Sequence, residues 1–401
     1  MNSEQSGRLH QAAGPQEAGE IEAAASGASE KVEKPCCCCA AISRQTDIIQ
    51  VPPRTSEPWV LGTLGTAAGI VPQVDTRLRL PDHFGTWRVR WGIGRMGYCV
   101  APGLYGVGQP SRDSPVLVSA NYKMSFDRLR CQLTGLDAWI LVLDTKGVNV
   151  WCSAGKGTFG TDEIVRRVEA TNLLEVVAHR TLVVPQLGAP GVAAHEVRKR
   201  SGFRVVYGPV RAADLPAFLA AGMQATPEMR KVQFPLRDRA AVIPVELVWS
   251  AKYTLLAAAA FVFLAGVGAD GYSWARVGGA GLWSGVLFLL TCLGSLVLTP
   301  VLLPWLPGRA FSLKGLWLGL ALLLGACGFW QVHPAAWDSP LAAAAWCLII
   351  PAAASFLGMS FTGASTYTSL SGVRREMRRA VPLQLVGALA GAILWLTARF
   401  V

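Results

Sequence analysis

Charge is scarce in this chain. Charged residues make up 16% of its 401 positions, where soluble proteins carry about a quarter. No Asp, Glu, Lys or Arg occurs in residues 277–308 or in residues 339–373. A helix that crosses a bilayer needs about 20 consecutive apolar residues, so both stretches are long enough, and a wholly soluble protein is excluded. A wholly membranous one is excluded as well, because residues 76–240 carry charges at ordinary density. The N-terminus lacks the apolar run of a signal peptide, so the first spanning segment is expected to direct insertion. Regular cysteine spacing is missing too. Of the ten cysteines, Cys36, Cys37, Cys38 and Cys39 are contiguous, Cys292, Cys327 and Cys347 lie in apolar spans, and Cys99, Cys131 and Cys152 remain. That pattern is no disulfide framework and suits a reducing compartment.

The charge that is present is basic, with a formal net charge of +11. Residues 1–35 oppose it, with Glu outnumbering Arg8, Lys31 and Lys34. Many basic residues flank apolar spans, so the expected partner is the lipid bilayer and not nucleic acid. Residues 1–57 are rich in Ala, Glu, Gly and Ser. Such a segment buries too little apolar surface to offset its ordering entropy, and a disordered tail is expected there. Its four adjacent thiols suit a soft metal; a chance run in an exposed tail is the plain alternative.

Residues 58–225 read as one α/β domain. The Gly92-Ile93-Gly94-Arg95-Met96-Gly97 string fits a dinucleotide fingerprint, but Pro102, Gly103, Gly106 and Gly108 follow where a helix must start. A dinucleotide site is therefore not expected. Beyond it, apolar runs at 116–118, 138–143, 181–184 and 203–207 read as strands. Helical patterns occupy 122–133, 162–170, 193–200 and 212–221, with Thr161 as a candidate N-cap. Regular alternation predicts a parallel sheet with helices on its faces, and a ligand beyond the carboxyl ends of the strands. The 144–160 loop lies at that end.

Residues 226–244 read as a linker and residues 245–401 as an all-α transmembrane domain of five helices. The spans are expected near 246–268, 281–303, 314–332, 340–361 and 381–399. Arg309, Lys314, Arg374, Arg375, Arg378 and Arg379 fall on one side, against Arg276 and Arg399 on the other. The positive-inside rule then puts the α/β domain in the cytoplasm of a multi-pass inner-membrane protein, with the C-terminus outside. Gly319, Gly325, Gly387 and Gly391 suggest close helix packing. Spans two to five carry no deep Asp or Glu, which argues against ion pumping. The hydroxyl-rich stretch 362–371 reads as helix packing or as a contact surface for the α/β domain.

The stretch Asn149-Val150-Trp151-Cys152-Ser153-Ala154-Gly155-Lys156 carries the most chemistry. A phosphate loop would need Gly at 150 and Ser or Thr at 157, where the chain has Val150 and Gly157. Cys152 reads either as a buried structural thiol or as a reactive one, with His179 or His195 as its base.

This octapeptide resembles the Asn-Val-Trp-Cys-Ala-Ala-Gly-Lys hallmark of the corrinoid protein of microbial mercury methylation, with Ser153 where that family usually has Ala. Further segments agree: Pro102-Gly103-Leu104-Tyr105, Ser119-Ala120-Asn121-Tyr122-Lys123, Pro185-Gln186-Leu187, and the run from Gly208 through Arg211 to Pro216. In the membrane part, residues 361–373 agree as well. The resemblance covers roughly residues 80–401. The α/β part also resembles the corrinoid domain of the corrinoid iron–sulfur protein, whose spaced four-cysteine cluster motif this chain lacks.

The resemblance implies a Rossmann-like corrinoid-binding domain that holds a cobalamin-type corrinoid against a short cap helix. It implies cofactor contacts from Asn149, Val150, Trp151, Cys152, Ser153, Ala154, Gly155, Lys156, Tyr122, Gln186, Leu187, Gly208 and Arg211. Cys152 would be the lower axial ligand of cobalt and the catalytic residue. A soft thiolate there favours passing methyl as an anion or radical equivalent to Hg(II), an electrophile. The implied partners are Hg(II) as acceptor, a two-cluster ferredoxin as reductant and a methyltetrahydrofolate-linked methyl source. The alternative is a membrane-anchored corrinoid methyl carrier for one-carbon metabolism.

Overall fold

The computed structural model describes residues 57–332, 339–362 and 370–401. The tail with its four cysteines and most of the hydroxyl-rich 362–371 stretch lie outside the described residues.

The described residues build a seven-stranded sheet. Its strands are β1 (Val60–Thr66), β2 (Gly69–Val74), β3 (Gly103–Val107), β4 (Val116–Ala120), β5 (Ala138–Leu143), β6 (Thr181–Val184) and β7 (Arg204–Tyr207), in the order β1-β2-β3-β5-β4-β6-β7. Strands β5, β4, β6 and β7 run parallel, as the alternation predicts. The expectation of a purely parallel sheet is corrected at the other edge. There β3 pairs antiparallel with β5, and a β1–β2 hairpin completes the sheet. Both β4 and β5 are buried along their whole length. Their side chains alternate between two cores, with Val116, Val118, Leu141 and Leu143 on one face and Leu117, Ile140 and Val142 on the other. A run that is apolar at every position is what burial on both faces requires.

Helices α1 (Leu80–Arg90), α2 (Lys123–Arg130), α3 (Val150–Lys156), α4 (Thr161–Ala170), α5 (Leu173–Val176), α6 (Ala194–Ser201) and α7 (Leu215–Ala220) join these strands. Two sequence expectations shift here. Gly160, not Thr161, is the N-cap of α4; the Thr161 hydroxyl instead accepts the Ala193 N–H at 2.9 Å, tying α4 to the start of α6. The 212–221 helix opens as a 3-10 turn, Ala212–Asp214. At the glycine-rich fingerprint only a 3-10 turn, Arg95–Gly97, forms.

Helix α8 (Leu236–Ala240) leads into α9 (Ile243–Leu264). After the short β8–β9 hairpin (Val267–Gly268, Gly271–Tyr272), α10 (Trp274–Arg276) and a π-turn come α11 (Leu282–Leu302), α12 (Phe311–Val332), α13 (Pro340–Ser360) and α14 (Leu370–Thr397). Among the described residues, five helices are long and apolar enough to cross a membrane. The helical segment of the first begins at Leu236, ten residues before the expected 246, because α8, with Arg237, Asp238 and Arg239, continues almost directly into α9. Close approach is built from small residues: a Cβ on Gly319 would sit 2.8 Å from Ala354 Cβ, and one on Gly358 would sit 2.8 Å from Gly315 Cα. Gly325 faces open space and takes no part. A polar thread crosses the bundle, where Gln384 Nε2 donates to Ser355 Oγ at 2.8 Å and Ser355 Oγ donates to the Ser312 carbonyl at 2.9 Å.

Candidate functional site

The carboxyl ends of β4, β5, β6 and β7 open on one edge of the sheet, and the 144–149 loop leaves there. Asn121, just past β4, organises that loop. Its Oδ1 accepts the Thr145 N–H at 3.1 Å and the Gly147 N–H at 3.0 Å, and lies 2.8 Å from Thr145 Oγ1. Its Nδ2 donates to Asp144 Oδ1 at 3.4 Å. The loop turns through Lys146 at φ 57° and Gly147 at φ 71°. A Cβ at Gly147 would stand 2.9 Å from the Met96 carbonyl oxygen, so only glycine lets the 94–99 segment lie on top of the loop.

The octapeptide becomes helix α3. Asn149 is its N-cap, with Oδ1 accepting the Cys152 N–H at 2.9 Å, the usual remedy for an unpaired first-turn donor. Gly157 ends it in the left-handed conformation at φ 80°. Ser153 and Ala154 are buried, and the Ser153 hydroxyl donates back to the Asn149 carbonyl at 2.6 Å. Gly191, in the 3-10 turn Gln186–Gly191 after β6, packs against Ala154 and Phe159. Trp151 and Cys152 are therefore left half-buried, while Gly155 and Lys156 are exposed. A Cβ at Gly155 would meet nothing within 4 Å.

Tyr122, also just past β4, is only 5% exposed, yet its hydroxyl has no hydrogen-bond partner among the described residues. Burial raises its pKa against the opposing charges of Arg95, Arg90 and Arg128, and Cys152 adds to the rise, so the thiol lies within electrostatic reach of the phenol. The Arg95 guanidinium carbon stands 6.0 Å from the centre of the Tyr122 ring.

The remaining expected residues divide. Gln186 and Leu187 stand at the carboxyl end of β6 and Gly208 at that of β7, where the Gly208 N–H donates to the Val184 carbonyl at 2.8 Å. Gln186 Oε1 accepts from Arg230 at 2.8 Å. Arg211 pairs through its guanidinium with Asp238 of α8 at 3.1 Å, a partner that lies 27 residues on in sequence. Neither histidine is brought to Cys152. His179 bonds the Ser114 carbonyl at 2.9 Å, at the opposite end of β4, and His195 is exposed beside Glu196. Among the described residues, His179 and His195 make these contacts with groups other than Cys152. Asn121 and Thr145 are the residues that the sequence reading left out; the signal was a polar residue at each of two adjacent strand ends.

A corrinoid fits what is here. Such a group can take an axial donor from the protein and needs a shallow, open face for a flat ring, not a closed cage of protein ligands. Cys152 is half-exposed on a helix with open space over Gly155, and Tyr122 offers a buried hydroxyl with unspent hydrogen-bonding capacity. Among the described residues no three His, Cys, Asp or Glu side chains cluster as a metal cage. The site is a shelf: the surface hollows along α6 and beside α5 are lined by other residues, including Arg198 and Arg204, and Leu174 and Arg200.

Residues 94–219 match the family model for the CO dehydrogenase/acetyl-CoA synthase delta subunit. That region holds the four parallel strands and α3. The acetyl-CoA decarbonylase/synthase complex subunit gamma of Methanopyrus kandleri is 34% identical over 122 residues, 30% of this chain and 26% of the relative. The same subunit of Archaeoglobus fulgidus is 32% identical over 122 residues, with the same shares, and that of Methanocaldococcus jannaschii is 28% identical over 116 residues, 28% of this chain and 23% of the relative. The chain spans about a quarter of the length of these curated relatives.

Proposed function

We propose that this chain is a membrane-anchored corrinoid protein that transfers a methyl group, with Hg(II) as its acceptor. The carrying observation is Cys152, a half-exposed thiol on a short capped helix at the carboxyl edge of the parallel strands. The cofactor is a corrinoid, in keeping with the similarity of residues 94–219 to acetyl-CoA-forming complex subunits. A bound corrinoid supplies a cobalt atom that carries methyl and releases it to an acceptor.

The chain's own residues do the rest. Cys152 would present a soft donor to the metal, and donor identity is a main control over such a centre. Asn149 and Asn121 fix the helix and the loop that hold the thiol. Gly155, over which a side chain would meet nothing within 4 Å, would leave room for the ring, and Trp151 and Lys156 would flank it. The Tyr122 hydroxyl, buried with no hydrogen-bond partner among the described residues, would bond a polar group of the cofactor. Gln186, Leu187 and Gly208 line the neighbouring strand ends. A two-cluster ferredoxin is the reductant this reading calls for, and a methyltetrahydrofolate-linked reaction the methyl source.

A second reading is a methyl carrier for one-carbon metabolism. The similarity to acetyl-CoA decarbonylase/synthase subunits favours it more directly than it favours mercury. Cys152 favours mercury, because a soft thiolate suits transfer to a soft electrophile. One experiment separates them. The full chain, loaded with methylcorrinoid and mixed with Hg(II) thiolate, is expected to form methylmercury in a single turnover. Corrinoid binding without methylmercury would leave the carrier reading; no corrinoid absorption would defeat both.

The membrane reading rests on the five apolar helices and on Arg374, Arg375, Arg378 and Arg379 at the start of α14. A reporter fused after Val401 is expected to register as extracytoplasmic; a cytoplasmic signal would reverse the orientation.

A further inference from the structure

Helix α1 is inside out. Its inward face carries Asp82 and Val89, at 9% and 2% exposure. Asp82 is held there by Lys123 Nζ and Arg130 Nη2, both at 2.8 Å. Its outward face is apolar: Leu80 is 84% exposed, Phe84 59% and Trp87 56%, and the half-buried Trp91 continues the line. At helical spacing these four positions fall within one narrow stripe. The Phe84 and Trp87 rings stack at 6.0 Å, and Trp87 meets Trp91 at 6.3 Å. Exposed Arg88 and half-buried Arg90 flank the stripe, and neither has an ion pair among the described residues. Ile93 and Met96, both more than half exposed, extend it.

Isolated apolar residues on a surface need no explanation, but a continuous aromatic stripe bordered by arginine does. What covers it is shown by its neighbour. The stripe runs directly into α9: a Cβ on Gly92 would lie 3.7 Å from both Trp249 Nε1 and Val248 Cγ1, and Arg95 stands 5.9 Å from the Trp249 ring. Val248, Trp249 and Tyr253 are themselves exposed, near the start of the first apolar helix. Aromatic belts mark the membrane–water boundary at such helix starts. An amphipathic helix with aromatics on one side and arginines at its flanks lies in that boundary plane.

We propose that α1 is an interfacial helix, its Leu80–Phe84–Trp87–Trp91 stripe inserted among the headgroups and upper acyl chains of the bilayer beside α9. This rests on the membrane reading above and extends it to the α/β domain. The occupant is anionic lipid, because Arg88 and Arg90 border the stripe with no ion pair among the described residues, and Asp238, the carboxylate that acts on Arg90 from a distance, is already paired with Arg211. Through Arg95, which stands between the Trp249 and Tyr122 rings, the arrangement holds the Cys152 shelf close to the membrane surface.

The test is photocrosslinking of the full chain in vesicles of phosphatidylcholine and phosphatidylglycerol. Benzoylphenylalanine replaces, in separate preparations, Phe84, Trp87, Leu256 in the middle of α9, and Leu174, an exposed residue on α5. Replacing one exposed aromatic by another leaves the fold intact. Lipid adducts are expected at 84, 87 and 256, several-fold above the level at 174. Adducts at 256 without any above background at 84 and 87 would overturn the inference and leave the spanning helices standing. Crosslinks from 84 or 87 to a second copy in place of lipid would overturn it too. Absence of lipid adducts even at 256 would bring down the membrane reading and this inference with it.

Discussion

Cys152→Ala is expected to abolish methylmercury formation while the chain still folds and still takes up corrinoid, with a shifted absorption spectrum. The substitution removes the sulfur and adds no bulk. Contacts that hold α3 survive it: the Asn149 cap reaches the backbone N–H of residue 152, and Ser153 and Ala154 stay buried. Cys152→Thr tests softness against shape, because it puts a hard oxygen near the position of the sulfur, and is expected to bind corrinoid without methylating mercury. Delivery of methyl to a one-carbon acceptor should survive both changes if the chain is a carrier of the second kind. Wild-type spectrum and wild-type methylmercury formation in Cys152→Ala would mean that the thiol is no ligand, and the proposed chemistry would fall.

Arg130→Ala is expected to cost about 3–5 kcal/mol of apparent stability, the scale for removing one partner from a buried ion pair. Arg130 is fully buried. It donates to Asp127 Oδ1 at 2.7 Å, to Asp82 Oδ2 at 2.8 Å, to the Arg77 carbonyl at 3.0 Å and to the Asp75 carbonyl. Without it, two buried carboxylates share Lys123 alone, and the carbonyls of the chain leading into α1 lose their donor. The exposed pair of Arg200 with Asp162, at 2.5 Å, is the control. Breaking that one is expected to cost below about 1 kcal/mol. Denaturant or thermal unfolding of the detergent-solubilised chain compares them; equal effects would show that the cluster is dispensable. The same cluster sets an acid limit. Burial raises the Asp82 pKa, but the Lys123 hydrogen bond, the Arg79 N–H and the charges of Lys123 and Arg130 outweigh it, and the carboxyl ends below its ordinary value. Its contribution is therefore full above the unfolded carboxylate pKa near about 4 and is lost as pH falls towards the lower folded value.

Much of the architecture was legible locally. Strands β5 and β6 fall at the residues their apolar runs indicate, since a strand buried on both faces must be apolar throughout. The five apolar helices were equally readable, because length and lack of charge are properties of a single segment. The hairpin β1–β2 escaped notice: Gly62 and Gly65 interrupt its pattern, and its pairing is settled by neighbours, not by propensity. Helix α1 escaped for the opposite reason. Its periodicity is present, but its apolar stripe looks outward and Asp82 inward, where Lys123 and Arg130 pair with it.

By itself, the sequence determined that a charged α/β part precedes five apolar spans, and that one cysteine sits in a small-residue motif after a buried strand. Those features follow from composition and from periods of two and 3.6 residues, which act within a few neighbours. Tertiary structure alone decided three things: that Asn121 grips the loop before α3, 24 residues on, that Arg211 pairs with Asp238 of α8, and that α1 turns its aromatics outward beside α9. Each depends on where a polar side chain finds its partner after the chain has crossed the sheet. Hydrogen bonds and ion pairs are specified by position in space, and no local pattern encodes them.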